Sequence, residues 1–128
     1  MKIEHIAIYA EDIEKLRDFY TRYFGLTCGP KYENRLKMFT SYFLYFGEGK
    51  TRIEIMNMPT LPKGGESNRS LGLAHFAIAV GSKEKVNELT EQLRADGYTI
   101  VSEPRTTGDG YYESAVADPE GNYVEITA

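Results

Sequence analysis

A chain with one cysteine, Cys28, can form no internal disulfide and no thiolate-rich metal cage, so its fold must stand without covalent staples. That fits a reducing compartment. No segment approaches the ~20 apolar residues of a membrane-spanning helix. In the opening MKIEHIAIYAEDIEK, Glu4 and His5 break the apolar run that a secretory leader needs. A cytoplasmic protein is expected. Positive charge is not in excess either: 15 basic against 19 acidic side chains give a net charge of -4, with no electrostatic reason to expect a nucleic-acid surface. Gly and Pro, 12 and 5 of 128 residues, are too few for a collagenous or low-complexity chain, and 41% hydrophobic content suits a soluble globular one. This length makes one domain whose core hides roughly two-thirds of the surface of the unfolded chain. Histidine is scarce as well, with only His5 and His75.

The two histidines sit in a repeat. Residues 2–9 read KIEHIAIY and residues 72–79 read GLAHFAIA, each followed by a helical stretch and further strand-like segments. In the first half, Asp12 is a helix N-cap, Ile13, Leu16, Tyr20, Tyr23 and Phe24 recur at helical spacing, and Gly25 ends the run. Strands are expected at about 26–33, 36–46 and 51–58, the last two separated by Gly47, Glu48 and Gly49. The second half repeats the order: a strand over 73–80, Ser82 as N-cap of a helix with Val86, Leu89 and Leu93 on its apolar face, and Gly97 as its stop. Strands at 98–103, 111–117 and 122–127 follow, with loops at Pro104 to Gly110 and Asp118 to Gly121. The expected fold is α+β, two βαβββ modules over about 1–58 and 72–128, joined by a Pro-, Gly- and Ser-rich linker over about 59–71. A sheet with one helix on one face leaves its other face to a partner half, a ligand or another subunit.

Successive strand residues point to opposite faces, and that alternation singles out four side chains. Phe76, Ile78 and Val80 suit the helix side, which sends His75, Ala77 and Ala79 to the open side. Val124 and Ile126 do the same for Glu125, Ile53 and Ile55 for Glu54, and Ile6 and Ile8 for His5. Any one of these residues alone reads as a satisfied or solvated strand residue. Together they are the chain's only histidines, each at the same place in its repeat, each with a carboxylate about fifty residues downstream. Two imidazole nitrogens and two carboxylate oxygens form a ligand set suited to divalent Ni, Zn, Co, Mn or Fe. The two carboxylates also offset the ion's charge.

At these residues the sequence resembles the vicinal oxygen chelate superfamily, most closely its glyoxalase I (lactoylglutathione lyase) branch. The resemblance runs over essentially the whole chain, through His5 in IEHIAIYAEDIEKLRDFYTRYFGL, Glu54 in RIEIM, His75 in LAHFAIAV and Glu125 in DPEGNYVEI. It implies the cupped sheet of the glyoxalase/bleomycin-resistance type and one divalent ion (Ni2+, Zn2+ or Co2+) held by His5, Glu54, His75 and Glu125. It also implies a homodimer acting on a small molecule. The implied reaction is a proton transfer on a 2-oxo compound or its thiol adduct, with Glu125 as base and Glu54 as its symmetry-related partner. A free carboxyl titrates near about 4, so that role needs a raised pKa or release from the ion.

The sequence also departs from the branch. Glutathione-dependent members usually carry Arg four residues after the first ligand His and Asn four after the first ligand Glu, where this chain has Tyr9 and Met58. Arg105, Lys63 and Arg69 are alternative cations for an acidic substrate. The resemblance admits an epimerase of the methylmalonyl-CoA type, which usually has Gln at the position of Glu54. It also admits a ligand-sequestering dimer of the bleomycin-resistance type, which generally lacks the metal ligands. Phe39, Phe43 and Tyr45 on one parity of the 36–46 segment and Met38, Tyr42, Leu44 and Phe46 on the other suit either a core strand or a pocket wall. Burial in a strand is expected for Cys28.

Overall fold

The computed structural model describes residues 3–47, 51–62, 72–108 and 110–128. The chain divides into two compact units, Met1–Gly64 and Gly65–Ala128. In the first, β1 (His5–Tyr9) leads into α1 (Ile13–Phe24), then β2 (Thr27–Cys28), β3 (Tyr32–Asn34), β4 (Phe39–Tyr45) and β5 (Arg52–Asn57). The Asp12 carboxylate accepts from the Lys15 amide at 3.0 Å to start α1. Gly25, at φ 65°, ends it in a left-handed conformation that a side chain would strain. The crossover through α1 lets β1 lie parallel to β5, and the sheet order is β1-β5-β4-β2 with β3 also on β4.

The helix is amphipathic for a visible reason. Ile13, Leu16, Phe19, Tyr20 and Tyr23 are buried, as are Ile8, Ile53, Ile55, Tyr42 and Leu44 of the sheet. Each large apolar side chain removed from water contributes about 2 kcal/mol, so this layer supplies most of the unit's driving force. On β5 the alternation is clean: Ile53 and Ile55 are buried, while Arg52, Glu54 and Met56 on the open side are half-exposed.

The second unit repeats the plan with β6 (Phe76–Ala79), α2 (Lys83–Ala95), β7 (Ile100–Thr106), β8 (Tyr112–Ala117) and β9 (Tyr123–Thr127), in the order β6-β9-β8-β7. β6 is parallel to β9, as β1 is to β5. Ser82 accepts from the Lys85 amide at 3.3 Å to cap α2. Val86 and Leu93 are buried as expected, whereas Leu89 is half-buried and Thr90 joins the core. Thr90 Oγ1 donates to the Val86 carbonyl at 2.6 Å and lies 2.7 Å from Ser114 Oγ, so the buried hydroxyls satisfy each other. The result is an α+β fold of two helices and two mixed sheets. No helix among the described residues is long and apolar enough to cross a membrane.

Further sequence expectations need correction. The strand expected over 26–33 is two short pieces, both paired with β4 and separated around Pro30, which has no amide to donate to a ladder. The strand expected from residue 36 begins at Phe39, because the Asn34 side chain accepts from the Lys37 amide at 3.1 Å and closes a turn through Met38 at φ 49°. Pro104 and Arg105 lie in β7 rather than in a loop, since the ladder to β8 shifts register between Ser102 and Arg105 and tolerates a proline there. Cys28 is exposed. Within β4, Tyr42 and Leu44 are core, whereas Phe39, Phe43 and Tyr45 are half-buried on the opposite face, so the segment is both core strand and open-face wall. Lys63, Arg69, Glu48 and Gly49 lie outside the described residues, as does the linker from residue 63 to residue 71.

Candidate functional site

The parallel ladders place Glu54 and Glu125 in matching positions; His5 opens β1, whereas the strand expected from residue 73 begins only at Phe76, so His75 stands one residue before β6. In the first unit Ala7 of β1 pairs with Glu54 of β5, and His5 stands two residues before Ala7 on the same face. In the second, Ala77 of β6 pairs with Glu125 of β9, and His75 stands two residues before Ala77. Each carboxylate therefore lies beside a methyl group that leaves room above the sheet, with an imidazole next to it.

The distances agree with that register. His75 Nε2 lies 3.2 Å from Glu125 Oε2, and His5 Nε2 lies 4.0 Å from Glu54 Oε2. The two carboxylates are the more sheltered partners, with side chains 18% and 22% exposed against 39% and 45% for the imidazoles. Adjacent ligands at about 2.1 Å from one ion stand roughly 3.0–3.4 Å apart. Each pair is therefore spaced as two neighbouring ligands would be, within a small rotation of the His5 or Glu54 side chain. The nitrogen and oxygen chemistry suits a divalent first-row ion. The structure brings the four residues together as two pairs; among the described residues no three or more His, Cys, Asp or Glu side chains are gathered so that they could hold a metal ion.

The surroundings of the two pairs differ. His5 Nδ1 donates to the Glu4 carboxylate, which also accepts from Arg52. The hydrogen bond from His5, with that from Arg52 beside it, holds the Glu4 carboxyl below its ordinary range. The Arg52 guanidinium lies 4.2 Å from the centre of the Phe43 ring, and that ring meets the His5 imidazole edge-on at 5.7 Å. In the second unit Ala115 stands opposite Glu125, where Phe43 stands opposite Glu54. Glu125 thus has small neighbours, Ala77 and Ala115, on both sides. Its strand is set by the turn before it: Asp118, 4% exposed, accepts from the amides of Glu120 and Asn122, both at 2.9 Å, and from the Asn122 side chain. Arg105, paired with Glu113 across β7 and β8, shares the open face with Glu125 and donates to Ser102 Oγ at 3.3 Å.

Sequence reasoning singled out the four residues but not Glu4, Arg52 and Asp118 around them. Arg52 was detectable, because it lies two residues from Glu54 and shares its parity. Glu4 was not, because strand alternation sends it to the opposite face. It precedes β1, so its side chain is free to turn back to His5.

Comparison with known proteins bears on this duplicated arrangement. Residues 2–126 match the profile of the Glyoxalase/Bleomycin resistance protein/Dioxygenase superfamily. The chain belongs to that superfamily. Among its relatives in this superfamily is a lactoylglutathione lyase of Arabidopsis thaliana, 28% identical over 95% of this chain and 42% of its own length. A probable lactoylglutathione lyase of Vibrio cholerae is 25% identical over 98% of this chain and 88% of its own. The crystal structure of glyoxalase I from Zea mays superposes with a TM-score of 0.79 at 25% identity, covering 98% of this chain and 44% of that one. This superfamily chain thus spans less than half the length of the plant proteins it resembles. The expectation of a vicinal oxygen chelate fold, glyoxalase-like, is met.

Proposed function

We propose that this superfamily member is a metal-dependent lyase or isomerase of the glyoxalase I type, acting by proton transfer on a small 2-oxo compound or its thiol adduct. The observation that carries the reading is the duplicated imidazole and carboxylate, with Nε2 and Oε2 3.2 Å apart in one unit and 4.0 Å apart in the other. His5, Glu54, His75 and Glu125 would hold one divalent ion, Ni2+, Zn2+ or Co2+. When bound, the ion supplies a Lewis acid that stabilises negative charge on the substrate's oxygens.

The protein's own part is to move a proton. In a hemithioacetal formed from a 2-oxoaldehyde and a thiol, Glu125 removes the proton from the carbon that carries sulfur and returns it to the adjacent carbon. The first carbon ends as a thioester carbonyl and the second as an alcohol, so oxidation of one balances reduction of the other and no outside oxidant is needed. Glu125 suits the role because Ala77 and Ala115 beside it leave its carboxylate room to swing. Glu54, beside Ala7 and Phe43, is the partner carboxylate. Arg105 is a cation on the same face as Glu125 and would receive an acidic group of the substrate. Tyr9 and Met58 supply no such charge, which favours a thiol adduct other than that of glutathione. A homodimer in the cytoplasm completes the proposal; the single cysteine suits that compartment.

The test is turnover of methylglyoxal adducts with a panel of thiols by the metal-loaded chain. The reading expects thioester formation that Glu125→Gln lowers by at least about 100-fold, the lower end of the usual range for general-base loss. Thioester formed equally well by Glu125→Gln would remove Glu125 from the mechanism. Ion binding with no turnover of any adduct would overturn the lyase and leave a binding protein.

A further inference from the structure

The two half-sites are not equivalent. Glu4 sits directly before His5, and the matching position before His75 is Ala74; Arg52 stands two residues before Glu54, and the match before Glu125 is Tyr123. Phe43 faces Glu54 across the ladder, and Ala115 faces Glu125. All three neighbours of His5 are thus absent at His75.

In the first unit these neighbours form a brace. The Arg52 amide donates to the Glu4 carbonyl at 3.0 Å and Thr51 Oγ1 to the Ile3 carbonyl at 3.2 Å, which ties the segment before β1 to the start of β5. The Glu4 carboxylate takes a hydrogen bond from Arg52 and another from His5 Nδ1. Arg52 in turn lies over Phe43, 4.2 Å from its centre, and the Phe43 and His5 rings meet edge to face. A neutral imidazole whose Nδ1 donates to Glu4 carries a lone pair on Nε2. In that tautomer the lone pair faces the Glu54 carboxylate, whose Oε2 lies 4.0 Å from Nε2. Two acceptors that face each other are reconciled by a cation between them. Among the described residues His75 meets Glu125, at 3.2 Å from Nε2, and no carboxylate stands behind its Nδ1 as Glu4 does at His5.

We infer that Glu4, braced by Arg52, is a positioning residue that fixes His5 as its Nδ1–H tautomer and presents Nε2 as a ready ligand, so that the two halves of the site are unequal. A carboxylate behind a ligand histidine orients the ring and raises its basicity, and loss of such a partner costs about 10–100-fold in metal affinity. The inference rests on the proposed ligand role of His5, and its test separates the two.

The test uses the full chain, uniformly labelled with 15N, as wild type, Glu4→Ala and Glu4→Gln. Side-chain 15N–1H correlation spectra of the metal-free protein report each histidine's tautomer, and Zn2+ competition against a chromophoric chelator reports affinity. The expected result is an Nδ1–H His5 in the wild type, a shift toward Nε2–H in Glu4→Ala, and an unchanged His75. Zn2+ affinity falls about 10–100-fold in Glu4→Ala. It falls less in Glu4→Gln, which keeps an acceptor. A His5 tautomer that is the same in the wild type and Glu4→Ala overturns the inference, as does a tautomer shift with unchanged Zn2+ affinity. If the wild type itself binds no Zn2+, the metal reading fails and the tautomer spectra alone decide the role of Glu4. Glu4→Gln guards against misfolding of the alanine variant.

Discussion

Asp118 offers the sharpest test of how the fold positions Glu125. Its carboxylate, 4% exposed, accepts from two backbone amides, of Glu120 and Asn122, and from the Asn122 side chain, and so closes the turn between β8 and β9. Asp118→Ala leaves both amides without this acceptor in a half-buried turn. Hydrogen bonds to a charged group contribute about 1.5–3 kcal/mol each and are not additive when they share one acceptor. Partial hydration of the exposed Gly121 side of the turn offsets some of the loss. The expected cost is about 3 kcal/mol, a sizeable share of the roughly 5–15 kcal/mol total stability of a domain. An unfolding entropy of about 2.1 cal/mol/K per residue makes that a fall in Tm of roughly 11 °C. Circular dichroism melts and urea titration measure it, and Asp118→Asn, which keeps one acceptor oxygen, should lose about half as much. A Tm shift under about 3 °C for Asp118→Ala would show that the turn holds without the carboxylate, and would remove this explanation for the placement of Glu125.

Other outcomes follow from the same reasoning. Ser114→Ala should cost about 1 kcal/mol by urea titration, because Thr90 keeps its bond to the Val86 carbonyl; the double substitution with Thr90→Val should cost less than the sum of the singles. Glu14, bonded to Lys31 and Tyr42, has its carboxyl held below the ordinary value, chiefly by the hydrogen bond from Lys31. Its contribution is therefore fully present above the unfolded carboxyl range and is lost as pH falls through its own lowered pKa. Glu14→Gln should flatten the acid limb of a stability–pH curve below about pH 4. At neutral pH it should cost under about 1 kcal/mol, since the pair is partly solvated. The Cys28 thiol is exposed yet has its pKa pushed up by partial desolvation, so a maleimide should label it in the folded protein, more slowly than a free thiol at pH 7.

Much of this was legible in the residues. Asp12 and Ser82 begin the helices because each side chain accepts from an amide three residues on, and such caps are read directly from sequence. The pattern Ile53, Glu54, Ile55 fixes which face Glu54 takes, and Val124, Glu125, Ile126 does so for Glu125, because one buried face leaves no choice of register. What escaped depends on tertiary partners. Thr90 reads as a surface threonine until Ser114 arrives to meet it. The break at Pro30 and the turn at Asn34 divide a segment that hydrophobicity alone makes continuous. Glu4 reaches His5 by a side-chain path outside the strand, where alternation has no authority. The duplicated pairing of each histidine with its own carboxylate, by contrast, followed from periodicity together with the repeat.

The central claim is that His5, Glu54, His75 and Glu125 serve one ion. The most direct measurement is the metal content of the purified chain by plasma mass spectrometry after equilibration with Ni2+, Zn2+ or Co2+ and removal of free ion. It is made on the wild type and on His5→Ala, Glu54→Gln, His75→Ala and Glu125→Gln. The account predicts a single ion bound per set of four side chains and a loss of more than about 100-fold in affinity for either histidine variant, above that expected for a supporting residue. A wild type that emerges free of metal would contradict it, and so would a His75→Ala variant that retains as much as the wild type.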